Sequence, residues 1–135
     1  MKFVSLLLFV SLLCEAPEYK VFYMEVVTPI KPYEKIWKAI CQVESKQNPL
    51  AFNPQEHAYG VAQIRPIRLQ DYNQRTGKTY KMEDMFDSTK SREVFIYYAV
   101  RIGHDNTDQI IRSWNGRGKK TYEYLKKVKR LLQCQ

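Results

Sequence analysis

With 135 residues the chain holds one domain and a short leader, and a domain of that size buries enough core to fold without a disulfide framework. A composition of 44% hydrophobic and 27% charged residues excludes wholesale disorder. The net charge of +8 favours polyanions, whether nucleic acid, an anionic membrane surface or a bacterial wall polymer, without choosing among them, and it equally suits a basic protein kept soluble by its charge.

The N-terminus opens with Lys2 and an apolar run over 3–13, followed by Cys14, Glu15, Ala16 and Pro17. One positive charge, a short apolar stretch and a small residue predict a secretory signal peptide over 1–16, and hence export to the periplasm or cell envelope. The run is too short to span a bilayer as a stable helix. Pro17 is an awkward neighbour for a cut after Ala16. Cys14 offers a second reading, a lipoprotein leader that anchors the protein to a membrane, although Leu13 is larger than such leaders favour at that place.

Residues 17–32 read as a linker, because Pro29 and Pro32 argue against helix around Ile30 and Lys31. The domain is expected over 33–135. Over 33–45, Ile36, Trp37, Ile40, Cys41, Val43 and Glu44 follow the three-and-four spacing of one helical stripe, which Asn48 and Pro49 end. Glu44 falls at the last turn of that stripe, so its carboxylate is predicted to be partly buried. Residues 48–59 read as loop, with turn dipeptides Asn48-Pro49 and Asn53-Pro54. Residues 60–64 form a compact apolar piece holding one polar residue, Gln63. Helices are expected over 67–73, 89–102, 107–114 and 121–132, with a short turn or helix over 82–87. No repeat or low-complexity tract interrupts this mostly helical single domain.

Once the leader is removed, Cys41 and Cys134 remain, either as one disulfide or as two buried thiols. His57 and His104 lie far apart, with no Cys at ligand spacing from either, so no metal site is expected.

Four pieces stand out as carriers of chemistry: Val43-Glu44-Ser45, the run from His57 through Ala58-Tyr59-Gly60-Val61-Ala62 to Gln63-Ile64, Ser113-Trp114-Asn115-Gly116, and Thr121-x-x-Tyr124-Leu125-x-x-Val128. In this order and at this spacing they resemble the lytic transglycosylase family of the soluble type, within the lysozyme superfamily. That family carries Glu-Ser at a helix end, then Gly-Leu-Met-Gln, then Ala-Tyr-Asn-Ala-Gly, then Tyr-Val near the final helix. The likeness covers residues 36–128. It implies a mainly α, lysozyme-like single domain with a catalytic cleft walled by Glu44, Gln63 and Asn115. It also implies cleavage of the bond between N-acetylmuramic acid and N-acetylglucosamine in peptidoglycan, with formation of a 1,6-anhydromuramic ring. The implied partner is the glycan strand itself, met by a monomer with no cofactor, no metal and no nucleic acid.

The residue types suit that chemistry. Breaking a glycosidic bond requires a carboxylic acid that keeps its proton near neutral pH, and partial burial supplies this by disfavouring the ionised form. On spacing alone Glu44 is an ordinary cap glutamate; the neighbouring motifs make it the candidate acid and base. Ser45 would orient the carboxylate or the substrate, or else bond a helix-end carbonyl. Gly60 would permit a tight turn. Gln63 would offer donor and acceptor to a sugar, or bond the backbone. Trp114 stands where the family has Tyr, so it would stack on a sugar or pack the core. Asn115, a loop amide, would contact the glycan. Tyr124 would reach the cleft or remain in the core.

Asp71, Asp84 and Asp87 match no catalytic base of the family, and Phe86-Asp87 reads as a structural turn, so ring closure is favoured over hydrolysis. A hydrolytic muramidase of the same fold, an inactive wall-binding module and a nucleic-acid-binding protein are the rivals. Gly77-Lys78-Thr79 lacks the earlier glycine of a phosphate-binding loop, and so does the basic loop Gly116-Arg117-Gly118-Lys119-Lys120. The lysines of the last helix read as a solvated face.

Overall fold

The computed structural model describes residues 31–134. The leader over 1–16, Cys14 and the linker up to residue 30 lie outside the described residues. Helix α1, Lys31–Ser45, starts two residues before the domain boundary expected at 33. Pro32 sits in its first turn, where the missing N–H has no intrahelical partner to lose, so this proline, expected to oppose helix at Lys31, instead lies inside the start of one. Its inward side buries Tyr33, Ile36, Trp37, Ile40 and Cys41.

Residues expected to be plain loop hold a two-stranded antiparallel hairpin, β1 (Phe52–Asn53) and β2 (Ala58–Tyr59), with Asn53 opposite Ala58. Asn53 closes the turn by accepting a hydrogen bond from the Gln55 amide at 3.0 Å. Helix α2, Pro66–Thr76, begins on a proline whose fixed φ suits a first turn, and ends on Gly77 in the left-handed conformation. A 3-10 turn, Met82–Phe86, leads into α3, Ser88–Ile102. Asp87 joins them as the N-cap, accepting from the Thr89 and Lys90 amides. The Phe86-Asp87 turn is therefore structural, and such a cap is worth about 1 kcal/mol. Helices α4, Thr107–Asn115, and α5, Lys120–Gln133, complete the order.

The core lies between α1, α3, α4 and α5, where Trp37, Phe95 and Trp114 form a chain of rings with centroids 5.3 and 5.4 Å apart. Among the described residues no helix is long and apolar enough to cross a membrane. Cys41 is buried and Cys134 exposed, both as free thiols. Neither cysteine expectation is met: the two are unpaired, and only one of them faces the core.

Gly60 sits where the hairpin meets the 3-10 turn. Its φ of +78° suits glycine, and a methyl group there would run into the Met85 carbonyl. That carbonyl is tied to α3 by the Ser91 hydroxyl, which donates to it at 2.6 Å, so it is not free to swing aside. We expect Gly60→Ala to destabilise the fold by more than about 2 kcal/mol, measured by urea unfolding. An unchanged midpoint would mean that the Met85 turn moves aside freely.

Candidate active site

Glu44 occupies the last turn of α1 and is half-buried, as its place on the apolar stripe predicts. Tyr124, on α5 and buried, donates its phenol hydrogen to Glu44 Oε1 at 2.7 Å. The contact joins residues 80 positions apart and exists because α1 and α5 pack side by side. Burial raises the Glu44 pKa above the usual carboxylate value. The Tyr124 hydrogen bond and the positive charges of Arg65 and Arg68 pull it back down, the Glu56 charge pushes it up, and burial prevails. Burial, reinforced by the Glu44 charge, also raises the pKa of the Tyr124 phenol and of the Cys41 thiol beneath. Both stay neutral, so the phenol acts as donor and leaves Oε2 of Glu44 for a second partner.

Three other site candidates turn their polar atoms to backbone. Ser45 Oγ donates to the Val61 carbonyl at 2.7 Å and to that of Cys41 at 3.3 Å, and accepts from the Asn48 amide at 3.1 Å. Gln63, with φ of +52°, donates from Nε2 to the Gly60 carbonyl at 3.0 Å and to the Ala51 carbonyl at 3.3 Å. Trp114 Nε1 donates to the Ala62 carbonyl at 3.1 Å. The carbonyls of Gly60, Val61 and Ala62 are thus each met by a side chain. This segment is buried, and carbonyls left without partners there would be costly. Sugar stacking by Trp114 is excluded by its position: the ring is 7% exposed, edge-on to Phe95, with the Arg68 guanidinium 4.4 Å above its centre. An indole N–H suffices for the carbonyl of Ala62.

Arg65 and Arg68 were absent from the sequence-derived site. Arg68 Nη2 donates to the carbonyls of Ser113 at 2.9 Å and Trp114 at 3.1 Å, while Arg65 Nη1 reaches that of Asn115 at 3.5 Å. These carbonyls end α4 and lack helical partners, so the two arginines cap it from another helix. Arg65 also pairs with Glu56 at 3.0 Å. The available signal was local: two arginines entering a helix N-terminus oppose its dipole and call for an external reason. Asn115 ends α4, and its side-chain amide makes no hydrogen bond among the described residues.

Four hollows among the described residues are lined without Glu44, Gln63 or Asn115. The largest, about 500 Å3, has Arg68, Tyr98 and Ser113 in its lining. Arg68 is common to this hollow and to the electrostatic surroundings of Glu44. Among the described residues no cluster of His, Cys, Asp or Glu is arranged to hold a metal ion.

Comparison with protein families finds the transglycosylase SLT domain over residues 32–126, from the first turn of α1 into α5. Comparisons with curated proteins and with solved structures return no match. The family match spans well over half of the chain and takes in Glu44, Gln63, Trp114 and Tyr124 with the helices that hold them, so the chain belongs to the transglycosylase SLT domain family and shares its mainly α, lysozyme-like fold.

Proposed function

We propose that this protein is a lytic transglycosylase that cleaves the bond between N-acetylmuramic acid and N-acetylglucosamine, with Glu44 as acid and then base. Membership of the family already points to peptidoglycan as the substrate and to the cell envelope as the place of action. The finer reading rests above all on one observation: a half-buried carboxyl whose pKa is raised and whose Oε1 is held by a neutral phenol. Protonated Glu44 gives its hydrogen to the bridging oxygen as the C1–O bond breaks. The resulting carboxylate then takes the hydrogen of the muramic 6-hydroxyl as O6 bonds to C1. The acid ends as it began, and no water is consumed.

Ring closure fits the rest of the charge distribution. Attack by water would call for a second carboxylate acting as base or nucleophile. Asp71 is tied to Arg75 and Tyr98, Asp84 to Lys90, and Asp87 to helix amides, while Glu56 pairs with Arg65. In this reading Tyr124 positions Glu44, and Asn115, with its unengaged amide, contacts the glycan. Ser45, Gly60, Gln63 and Trp114 support the wall from behind. The leader over 1–16 carries a monomer to the envelope, with Cys14 as the attachment point if it is retained as a lipoprotein.

Three outcomes follow. Wild-type protein incubated with purified sacculi should release anhydromuramic muropeptides, and Glu44→Gln should lower that release by about 10³-fold or more. Reducing ends without anhydro sugar in the mass spectrum would assign hydrolysis instead.

The second outcome concerns stability. A folded-state pKa raised above the unfolded value means that the Glu44 contribution is fully present below the unfolded pKa and is lost as pH rises through the folded one. Gln mimics the neutral acid and can still accept from Tyr124. Glu44→Gln should therefore raise the melting temperature at pH 7, by roughly 4 °C for each kcal/mol relieved, and leave it unchanged near pH 3. Equal melting temperatures at both values would contradict the buried-acid account.

The third concerns pH-dependence. The Tyr124 hydrogen bond favours the carboxylate, so Tyr124→Phe removes a stabiliser of the anion and raises the Glu44 pKa further. The alkaline limb of the kcat/KM profile should move to higher pH, with kcat down about tenfold from lost positioning. A limb that stays in place would separate the phenol from the proton transfer.

A further inference from the structure

The lysines of α1 find no partner in the described fold. Lys31, Lys35 and Lys38 are exposed, follow the three-and-four spacing of one outward stripe, and pair with no carboxylate among the described residues. Such a stripe weakens the helix that bears it. Like charges a turn apart repel, and Lys31 and Lys35 stand in the first turns, where they oppose the dipole. The last turn of α1, where a cation would be favourable, has none. The acids of the helix give no relief, since Glu34 is joined to Arg92 and Glu44 to Tyr124. Elsewhere the protein does pair exposed cations: Arg75 with Asp71, Lys90 with Asp84, Lys129 with Asp108. Helix α5 extends the pattern. It packs beside α1, and a hollow of about 370 Å3 between them is lined by Lys38, Gln42, Gln47 and Leu131. Lys127, one turn before Leu131, and Arg130 are exposed and likewise unpaired among the described residues, while the acid of α5, Glu123, is taken by Lys126.

We propose that this face of α1 and α5 docks on an anionic phospholipid surface. Its charge is of one sign, it spreads over two adjacent helices, and no contact within the described fold accounts for it. The cations stand along the outward side of a helix and do not line a channel, so they match a broad surface of phosphate headgroups better than a threaded strand. The hollow beside Lys38 offers a seat for one headgroup, with the ammonium for its phosphate and the exposed Gln42 amide for its hydroxyls. Docking would also orient the protein. Lys35 and Glu44 are about two and a half turns apart on α1 and so stand on opposite sides of it. A bilayer under Lys35 leaves the Glu44 carboxyl turned away from the lipid. The inference goes beyond the glycan-cleavage reading and needs no glycan.

The test is cosedimentation of the full chain with two kinds of vesicle, phosphatidylcholine alone and phosphatidylcholine mixed equally with phosphatidylglycerol. Uptake through the apolar run over 3–13 cancels in the ratio of the two affinities. We expect the mixed vesicles to bind about tenfold more tightly at low salt, and the ratio to fall toward one at high salt. Lys35→Gln combined with Lys38→Gln should remove most of the preference. Lys126→Gln combined with Lys129→Gln takes the same charge from the ion-paired side of α5 and should leave most of it. An equal loss for both pairs would mean that net charge alone attracts lipid, and it overturns the assignment, as does a wild type without preference. The Lys35 and Lys38 variant should melt no lower than wild type, because it sheds repulsion. A lower melting temperature would show that these lysines serve the fold, and overturns the assignment too. Release of muropeptides from sacculi by this variant should match wild type. If it falls in step with the lipid preference, the face belongs to the path of the wall polymer, and the lipid assignment fails while the peptidoglycan reading stands. If wild type releases nothing yet keeps its charge-dependent lipid preference, the lipid assignment stands and the peptidoglycan reading fails.

Discussion

A carboxyl group at the end of α1 cannot be both dry and charged at low cost, and much of this domain is arranged around that constraint. The Glu44 carboxyl is covered by the approach of α5, which brings the Tyr124 ring over it and the Tyr124 hydroxyl onto it. The ring excludes water and raises the pKa; the hydroxyl returns part of the stabilisation that water would have given the anion. A simple apolar side chain at position 124 would strand the charged form, and an exposed site would leave the acid with nothing to donate. The phenol supplies both parts because its own pKa is driven up in the same place, so it cannot lose its proton to the neighbour it serves.

The second constraint is the chain that must pass from the hairpin to α2 through the interior. Between Ala58 and Ile64 it is buried at most positions, yet beyond the hairpin pairs of Ala58 and Tyr59 its only further bridge among the described residues is Tyr59 to Ile64. Its carbonyls need partners from elsewhere, and Ser45, Gln63 and Trp114 provide them from α1, from the segment itself and from α4. The Glu-Ser and Gly-x-x-Gln motifs are therefore joined physically. The serine after the catalytic candidate fastens the glycine segment against the same helix end, so one hydrogen bond links the place of Glu44 to the course of that segment.

The helices were legible because their cores obey a three-and-four period: the buried positions of α1 and α5 can be read off Ile36, Ile40, Tyr124 and Val128 directly. The partial burial of Glu44 was legible for the same reason. The hairpin was not, since two residues per strand carry no alternation to detect, and Asn-Pro dipeptides signal a turn regardless of what flanks it. Pro32 misled because proline marks the start of a helix as well as its end. The direction in which Ser45, Gln63 and Trp114 point was beyond sequence reading, because a hydroxyl, an amide or an indole bonds a sugar or a carbonyl equally well. Which one it meets is decided by residues up to 52 positions away.

Arg65 and Arg68 show how a local misfit carries information. Positive side chains at a helix N-terminus oppose the dipole there by some tenths of a kcal/mol. The penalty is offset because the same guanidinium groups satisfy the bare carbonyls of Ser113, Trp114 and Asn115, the negative end of another helix. Two helix termini of opposite sign are thereby locked through side chains rather than directly, and the arginines come to rest where their charge reaches Glu44. In the proposed reaction the acid must later act as a base, and such a group is best held with both states within reach. Burial favours the protonated form of Glu44. The Tyr124 hydrogen bond draws it back most, and the arginines, present because α4 needs an end, add to that pull, so the closure of a helix that does not itself carry the acid contributes to the proton affinity of the site.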